Sequence, residues 1–251
     1  MARFVVIGGS GRIGSGIVRE LSAGGHDVSA ASRRTGVDTV TGEGLARALA
    51  GADVVIDSAR PPSSYGDDEV FEFFTTSTAN LLAAGTAEGV GHHVTVTTVG
   101  TTRRHGIPYY EAKTAQESLV RESGLPYSLV HATQFFEFAG TIAEVSTVDS
   151  QVRLPGALTR PIAASDVAKA VARVAVGPPL DGDIEIAGPE RFGLDEFVRR
   201  VLAARHDPRT VVRDDDAPYF GAVIEEGTLL PVEGARLFET RLDDWLRRTG
   251  G

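Results

Sequence analysis

The chain has 251 residues, 42% hydrophobic and 24% charged, enough for one substantial core, with no apolar run as long as a membrane span. Its formal charge of −9 argues against nucleic acid as a ligand, and its zero cysteines exclude disulfides, thiolate catalysis and thiolate metal sites. These values, with a strand starting too close to the N-terminus for a signal peptide, fit a cytoplasmic protein that meets a small-molecule substrate as a monomer or homodimer, with no membrane partner.

Phe4 to Ile7 is a short β-branched and aromatic run, the composition of a strand buried on both faces. Gly8, Gly9, Ser10 and Gly11 follow at once, and Ile13, Ile17, Val18 and Leu21 then recur at helical spacing. Gly9-x-Gly11-x-x-Gly14 therefore lies between a strand and a helix. In that setting glycine permits the tight turn, lets backbone approach a pyrophosphate and bares the amides of a helix N-terminus. Gly8, Gly9, Ser10, Gly11, Arg12, Ile13 and Gly14 are the expected dinucleotide loop.

Asp27 to Ala31 reads as a second strand, ending at Ser32-Arg33-Arg34. An NAD-preferring fold places an acid there, about twenty residues past the glycine turn, to hold the ribose 2′-hydroxyl. A hydroxyl and two arginines, with Arg12 in the turn, suit instead the dianionic 2′-phosphate of NADP (NADPH), because guanidinium forks pair with phosphate oxygens. The plainer alternative is two solvated arginines after a strand. Val37 to Val40 reads as a short third strand with Asp38 available to an adenine edge, Gly42 to Ala50 as a helix, and Ala52 to Ile56 as a fourth strand.

That strand ends at Asp57-Ser58-Ala59, and the loop from Arg60 to Gly66 follows by composition. Ser58, Ala59 and Arg60 are expected on the carboxyl edge, where ligands bind. Val70 to Ala87 is a longer helix, and Val94 to Val99 a fifth strand closing at Gly100. Strands alternating with helices imply an α/β fold, a Rossmann-type doubly wound parallel sheet with helices on both faces.

After the polar loop Thr101 to Gly106, Pro108 starts a helix. Tyr109 then falls in its first turn and Lys113 one turn later, so phenol and ammonium share a face. A cation beside a phenol favours phenolate and lowers its ordinary pKa of about 10, which suits a proton donor to a carbonyl oxygen. Thr97, three residues before Gly100, brings a hydroxyl to the same strand end. The plainer alternative is a surface tyrosine and lysine on an amphipathic helix.

Leu125 to Val130 is a sixth strand, and Phe135, Phe136 and Phe138 at its exit line an apolar pocket or belong to a core. Pro155 and Pro161 bracket a loop or short strand. Ser165-Asp166 reads as the cap of a helix from Val167 to Val176, followed by a strand from Asp183 to Ala187 and a helix from Leu194 to Ala204. Val223 to Leu230 reads as irregular, and Gly234 to Arg248 ends in a helix carrying Trp245. His92-His93 has no second ligand cluster at metal spacing, so no metal site is expected. The chain reads as one NAD(P)-binding domain: roughly 1–131 form the cofactor core and roughly 132–251 a mixed α/β substrate lobe with returning elements.

Taken together, several stretches resemble an atypical short-chain dehydrogenase/reductase of the NmrA-like NAD(P)-binding group. They are Gly8 to Gly14 (which also fits the Gly8-x-x-Gly11-x-x-Gly14 spacing), Gly51 to Asp57, Thr78 to Ala84, Tyr109 to Glu117, Ala132 to Phe138 and Ala187 to Glu190. The resemblance implies an NADP-dependent reductase of a small carbonyl or related polarised double bond. Tyr109 would be the proton donor, Lys113 would hold the nicotinamide ribose and tune the phenol, and Thr97 would replace the usual serine that orients the carbonyl. The group also holds non-catalytic dinucleotide sensors, and a quinone or flavin reductase would use the same cleft.

Overall fold

β1 (Arg3–Ile7) pairs in parallel with two strands, β2 (Asp27–Ala31) and β3 (Val54–Asp57), in a computed structural model that describes residues 2–62, 66–103 and 106–249. Ser63, Ser64 and Tyr65 of the first expected loop, and Arg104 and His105 of the next, lie outside the described residues. α1 (Arg12–Ala23) connects β1 to β2, and α2 (Leu45–Leu49) precedes β3. Next come α3 (Asp67–Ala87), β4 (His92–Thr98), α4 (Pro108–Glu122) and β5 (Tyr127–Ala132). α5 (Ala139–Val145), β6 (Thr147–Val148), β7 (Gln151–Leu154) and β8 (Leu158–Thr159) follow, then α6 (Ala164–Val176) and β9 (Gly182–Ala187). The chain ends with β10 (Phe192–Gly193), α7 (Leu194–Ala204), β11 (Thr210–Arg213), β12 (Arg236–Leu237) and α8 (Leu242–Thr249).

The main sheet has seven strands in the order β12-β9-β5-β4-β3-β1-β2, parallel and flanked by helices, the expected Rossmann-type α/β architecture. The chain steps from β1 outward to β2, then crosses back to β3. The order therefore reverses between the carboxyl ends of β1 and β3, at Ile7 and Asp57. Such a reversal leaves a crevice at the strand ends, where ligands of this architecture bind.

The chain forms two compact units, the first of Met1–Thr97, Pro108–His131 and Val167–Ile184, the second of Thr98–Ile107, Ala132–Asp166 and Glu185–Gly251. In the first, Val5, Ile7 and Val55 pack with Leu45 and Leu49 of α2 and Leu81 of α3, while the alternate residues Phe4 and Val6 are also buried. β1 is covered on both faces, as its unbroken apolar run requires. Phe73 and Phe74 of α3 pack on Ala112 of α4, and Leu82 packs on Val120 and Leu129. In the second unit, the Phe136 ring lies 5.5 Å from Trp245 and 6.3 Å from Phe197. The Glu137 carboxylate there accepts from Trp245 Nε1 at 3.0 Å and from the Ala164 amide at 3.0 Å. Phe136 is thus core, whereas Phe138 is exposed and stacks on Phe220 at 5.8 Å.

Three expectations are corrected. Residues 37–40 are not a strand: Asp38 Oδ1 accepts from the amides of Val40 (2.8 Å) and Thr41 (3.3 Å), making a turn, and Asn80 Nδ2 donates to the carbonyls of Thr39 (3.0 Å) and Val40 (2.8 Å). α6 starts at Ala164, so Ser165 and Asp166 lie in its first turn and do not cap it. The stretch from Gly234 ends as expected in a helix carrying Trp245, α8, which follows β12. A three-stranded sheet, β11-β7-β6, occupies sequence where no strands are expected.

Candidate active site

The turn after β1 is shaped by contacts that only glycine permits. Gly8 has φ +73, and a Cβ there would meet the Ser58 carbonyl oxygen at 2.7 Å. A Cβ on Gly14 would lie 2.3 Å from the Gly8 oxygen, and one on Gly9 would lie 2.7 Å from Ala30 Cβ. The chain is held down by Gly8 N–H donating to Ala31 O (2.9 Å) and Gly11 N–H to Gly8 O (2.8 Å). Gly11 is the N-cap of α1 and no side chain caps that end. The first amides of α1 therefore have no acceptor within the helix, and the helix dipole adds positive potential. Ser10, Gly11 and Arg12 are exposed around this anion-favouring end, with Ile13 half-buried against the helix.

Across the switch point, Ser58 ties β3 to β1. Its amide (3.1 Å) and hydroxyl (2.7 Å) both donate to the Ile7 carbonyl. The Ala59 amide donates to Asp57 Oδ1 at 3.0 Å, and Arg60 is exposed beyond it. At the end of β2, Arg33 and Arg34 lie in a single 3₁₀ turn, Arg33–Thr35, anchored by the Thr35 hydroxyl to the backbone of Ser32. The Ser32 hydroxyl is shielded and has no hydrogen-bond partner among the described residues. Arg12, Arg33 and Arg34 are exposed and form no ion pair among the described residues. Asp38 is a turn former first, with Oδ1 engaged by amides as described.

Tyr109, Lys113 and Thr97 are distributed differently from the expectation. Lys113 is 3% exposed; Nζ donates to Val96 O at 3.0 Å and to Gln116 Oε1, and lies 4.5 Å from the Phe74 ring centre. Burial pushes this amine down to about 8, with Asp57 and Glu117 pulling it back up. Tyr109 is 41% exposed and meets the same Phe74 ring edge-on at 5.7 Å. Its phenol is shifted up, not down: desolvation and then Tyr110 raise it, and Arg60 lowers it. Lys113 is not among the groups acting on it. Water at the exposed part of the ring limits the rise, but the direction is opposite to the one expected. The Lys113 ammonium is hydrogen-bonded to protein acceptors, and burial dominates the shift of the phenol.

Thr97 is buried and its hydroxyl donates to Glu117 Oε1 at 2.6 Å. A hydroxyl has one hydrogen, and here Thr97 commits it to Glu117. Glu117 also faces Arg121 (3.5 Å) and His131 Nδ1 (3.7 Å).

The site holds two residues that pattern reading missed. Gln116 and Asp57 are both buried, and Gln116 Nε2 donates to Asp57 Oδ2 (3.0 Å) and to Thr78 Oγ1 (3.0 Å). The available signal was positional: Gln116 follows Lys113 by three on α4, hence on the same face. His92 and His93 lie buried in β4, and His92 Nε2 is bonded to Ser128 Oγ at 2.8 Å.

A family model for NAD(P)H-binding proteins matches residues 8–178. The chain belongs to the NAD(P)H-binding family. In fold this NAD(P)H-binding chain is similar to MoeE5 in complex with UDP-glucose and NAD, at 19% identity and TM-score 0.76 over 100% of each chain. It is similar to the dTDP-4-dehydrorhamnose reductase of Bacillus anthracis strain Ames in complex with NADP, at 14% identity and TM-score 0.76 over 98% of each chain. A short-chain dehydrogenase/reductase superfamily protein of Agrobacterium tumefaciens with bound NAD gives 14% identity and TM-score 0.70, over 99% of this chain and 96% of that one. At such identities the likeness is one of fold. No curated protein matches the chain. The glycine cradle, the bare end of α1 and the unpartnered Ser32 hydroxyl fit the NAD(P)H that the family binds.

Proposed function

We propose that the protein is an NADPH-dependent reductase of a small carbonyl or related polarised double bond, with Tyr109 as the proton donor. The observation that carries this reading is Tyr109 in the first turn of α4, a partly exposed residue whose phenol is shifted towards its protonated form. A donor must carry its proton at working pH, and an upward-shifted phenol does so throughout the neutral range. The residues for holding the dinucleotide are Gly8 to Gly14 for the pyrophosphate and Ser32, Arg33, Arg34 and Arg12 for a 2′-phosphate. Three guanidiniums without an ion pair among the described residues favour NADPH over NADH. When bound, NADPH supplies hydride. The chain's own part is to hold the substrate oxygen against the Tyr109 hydroxyl and release one proton to it. Lys113 supports that helix turn from beneath, anchored to Val96 and Gln116.

The test is Tyr109→Phe, assayed with NADPH and a panel of aldehydes, ketones, quinones and nucleotide-linked keto sugars. Turnover should fall by about two to four powers of ten, while NADPH affinity stays within a few fold. Normal turnover by the variant would remove Tyr109 from the mechanism.

One observation favours a second reading, a dinucleotide sensor: Lys113 and Thr97 are already satisfied by protein partners. It predicts no NADPH consumption with any member of the panel, and unequal affinities for NADP and NADPH.

A further inference from the structure

Lysine is scarce in this chain: Lys113 and Lys169 are the only two, and the rest of the 25 lysines and arginines are arginine. One of the two is almost wholly buried, a position where an ammonium is costly unless its protons are all accepted. The Val96 carbonyl and the Gln116 amide oxygen accept two, and the Phe74 ring faces the charge. The orientation of the Gln116 amide is dictated by its neighbours. Turned over, it would set an NH₂ against the ammonium and a carbonyl against the Asp57 carboxylate. In the orientation present, every polar atom of the amide has a partner: Lys113 on the oxygen, Asp57 and Thr78 on the nitrogen. Asp57 in turn closes β3 and accepts from the Ala59 amide at the switch point. A single side chain of α4 thus joins the ligand edge of the sheet to the buried amine.

We propose that Gln116 is a positioning residue: its amide spans Asp57, Thr78 and the Lys113 ammonium, fixing where that ammonium sits and keeping it charged. The catalytic consequence rests on the reductase reading, but the coupling itself does not. The charged groups facing the ammonium are Asp57 from β3 and Glu117 from α4, so Gln116 relays the first of them by hydrogen bonds. Without the amide, the ammonium keeps one backbone acceptor beside an aromatic ring, and its charged form loses support.

The experiment is a pH titration of the full-length protein labelled at lysine Cε with carbon-13. Two lysine signals are expected, and Lys169 is the internal reference. In the unmodified protein Lys113 should titrate near 8, the value set by its burial. Gln116→Met should lower that midpoint by about one unit or more, since the charged form loses a hydrogen bond. Gln116→Glu should raise it, by setting a carboxylate directly on the amine. A Lys113 midpoint unchanged in either folded variant overturns the proposal, and the glutamate variant serves if the methionine variant does not fold. The titration needs no turnover, so an unmodified protein that consumes no NADPH defeats the reductase reading and leaves this test standing. Where turnover is found, Gln116→Met should lower kcat with the KM for NADPH within about threefold, and shift the pH profile in the direction of the Lys113 midpoint.

Discussion

Arg33 is the residue on which coenzyme choice turns. It is exposed in the 3₁₀ turn that ends β2, has no carboxylate partner among the described residues, and adjoins the shielded Ser32 hydroxyl. Arg33→Ala should weaken NADPH by about 10- to 100-fold, the range for a charge-assisted contact, and leave NADH within about twofold. Equal losses for both coenzymes, read by fluorescence titration, would remove the 2′-phosphate contact. At this scale the sequence discloses residue type and spacing but not partners. Tyr109 and Lys113 stand out because four-residue spacing puts them on one face of a helix; in α4 Lys113 is buried and Tyr109 is 41% exposed. What their ammonium does was not legible, because its acceptors, Val96 O and Gln116, come from backbone and from an amide with no motif. The direction of the Tyr109 shift is not legible either, because burial and the neighbouring Tyr110 set it. Spacing cannot show that an ammonium already has acceptors elsewhere.

Among the elements, the turn from β1 to α1 was the most legible and is the least tolerant of change. Its glycines are required by backbone contacts: the Cβ of Gly14→Ala would lie 2.3 Å from Gly8 O and 2.7 Å from Gly8 C. Neither atom can yield without moving β1 or α1. Gly14→Ala should therefore cost about 1–3 kcal/mol of stability and weaken NADPH, whereas Gly11→Ala, tightest at 3.1 Å, should fold nearly normally. Denaturant midpoints and coenzyme titration of the two variants check this; similar behaviour would mean that the turn is not set by close approach. α7 spans Leu194–Ala204, as its periodicity indicates, because eleven residues carry several repeats of one apolar face. The β6–β7 hairpin was invisible for an opposite reason. Asp149 (φ 47) and Ser150 (φ 67) form its turn, a left-handed pair without the glycine that usually marks one. Val37-Asp38-Thr39-Val40 carries three β-branched residues, yet Asp38 accepts from nearby amides and turns the chain instead.

For the whole molecule, the parallel sheet was legible from alternation of strand and helix, whereas the stretches exchanged between the two units have no local signature. Residues 98–107 belong with the second unit and 167–184 with the first, groupings made by contacts distant in sequence that no local pattern encodes. Global stability should carry the signature of buried basic groups. Burial, and then His92 beside it, pushes His93 down to about 4, and burial lowers His92 as well, against the pull of Asp181. A histidine that is neutral when folded and titrates near 6.5 when unfolded binds fewer protons in the native state. Stability is then full above about 6.5 and falls as pH drops towards 4, on the order of 3 kcal/mol for His93 alone. Lys113 acts in the same sense at the other end: held near 8 when folded, it makes stability rise between about pH 8 and 10. Urea unfolding at pH 7.0 and 5.0 should show the acid loss, and His93→Leu should make the slope shallower even if that variant is less stable overall. An unaltered slope in His93→Leu would mean that the acid sensitivity comes from elsewhere, and that β4 tolerates a charged imidazole at its buried start.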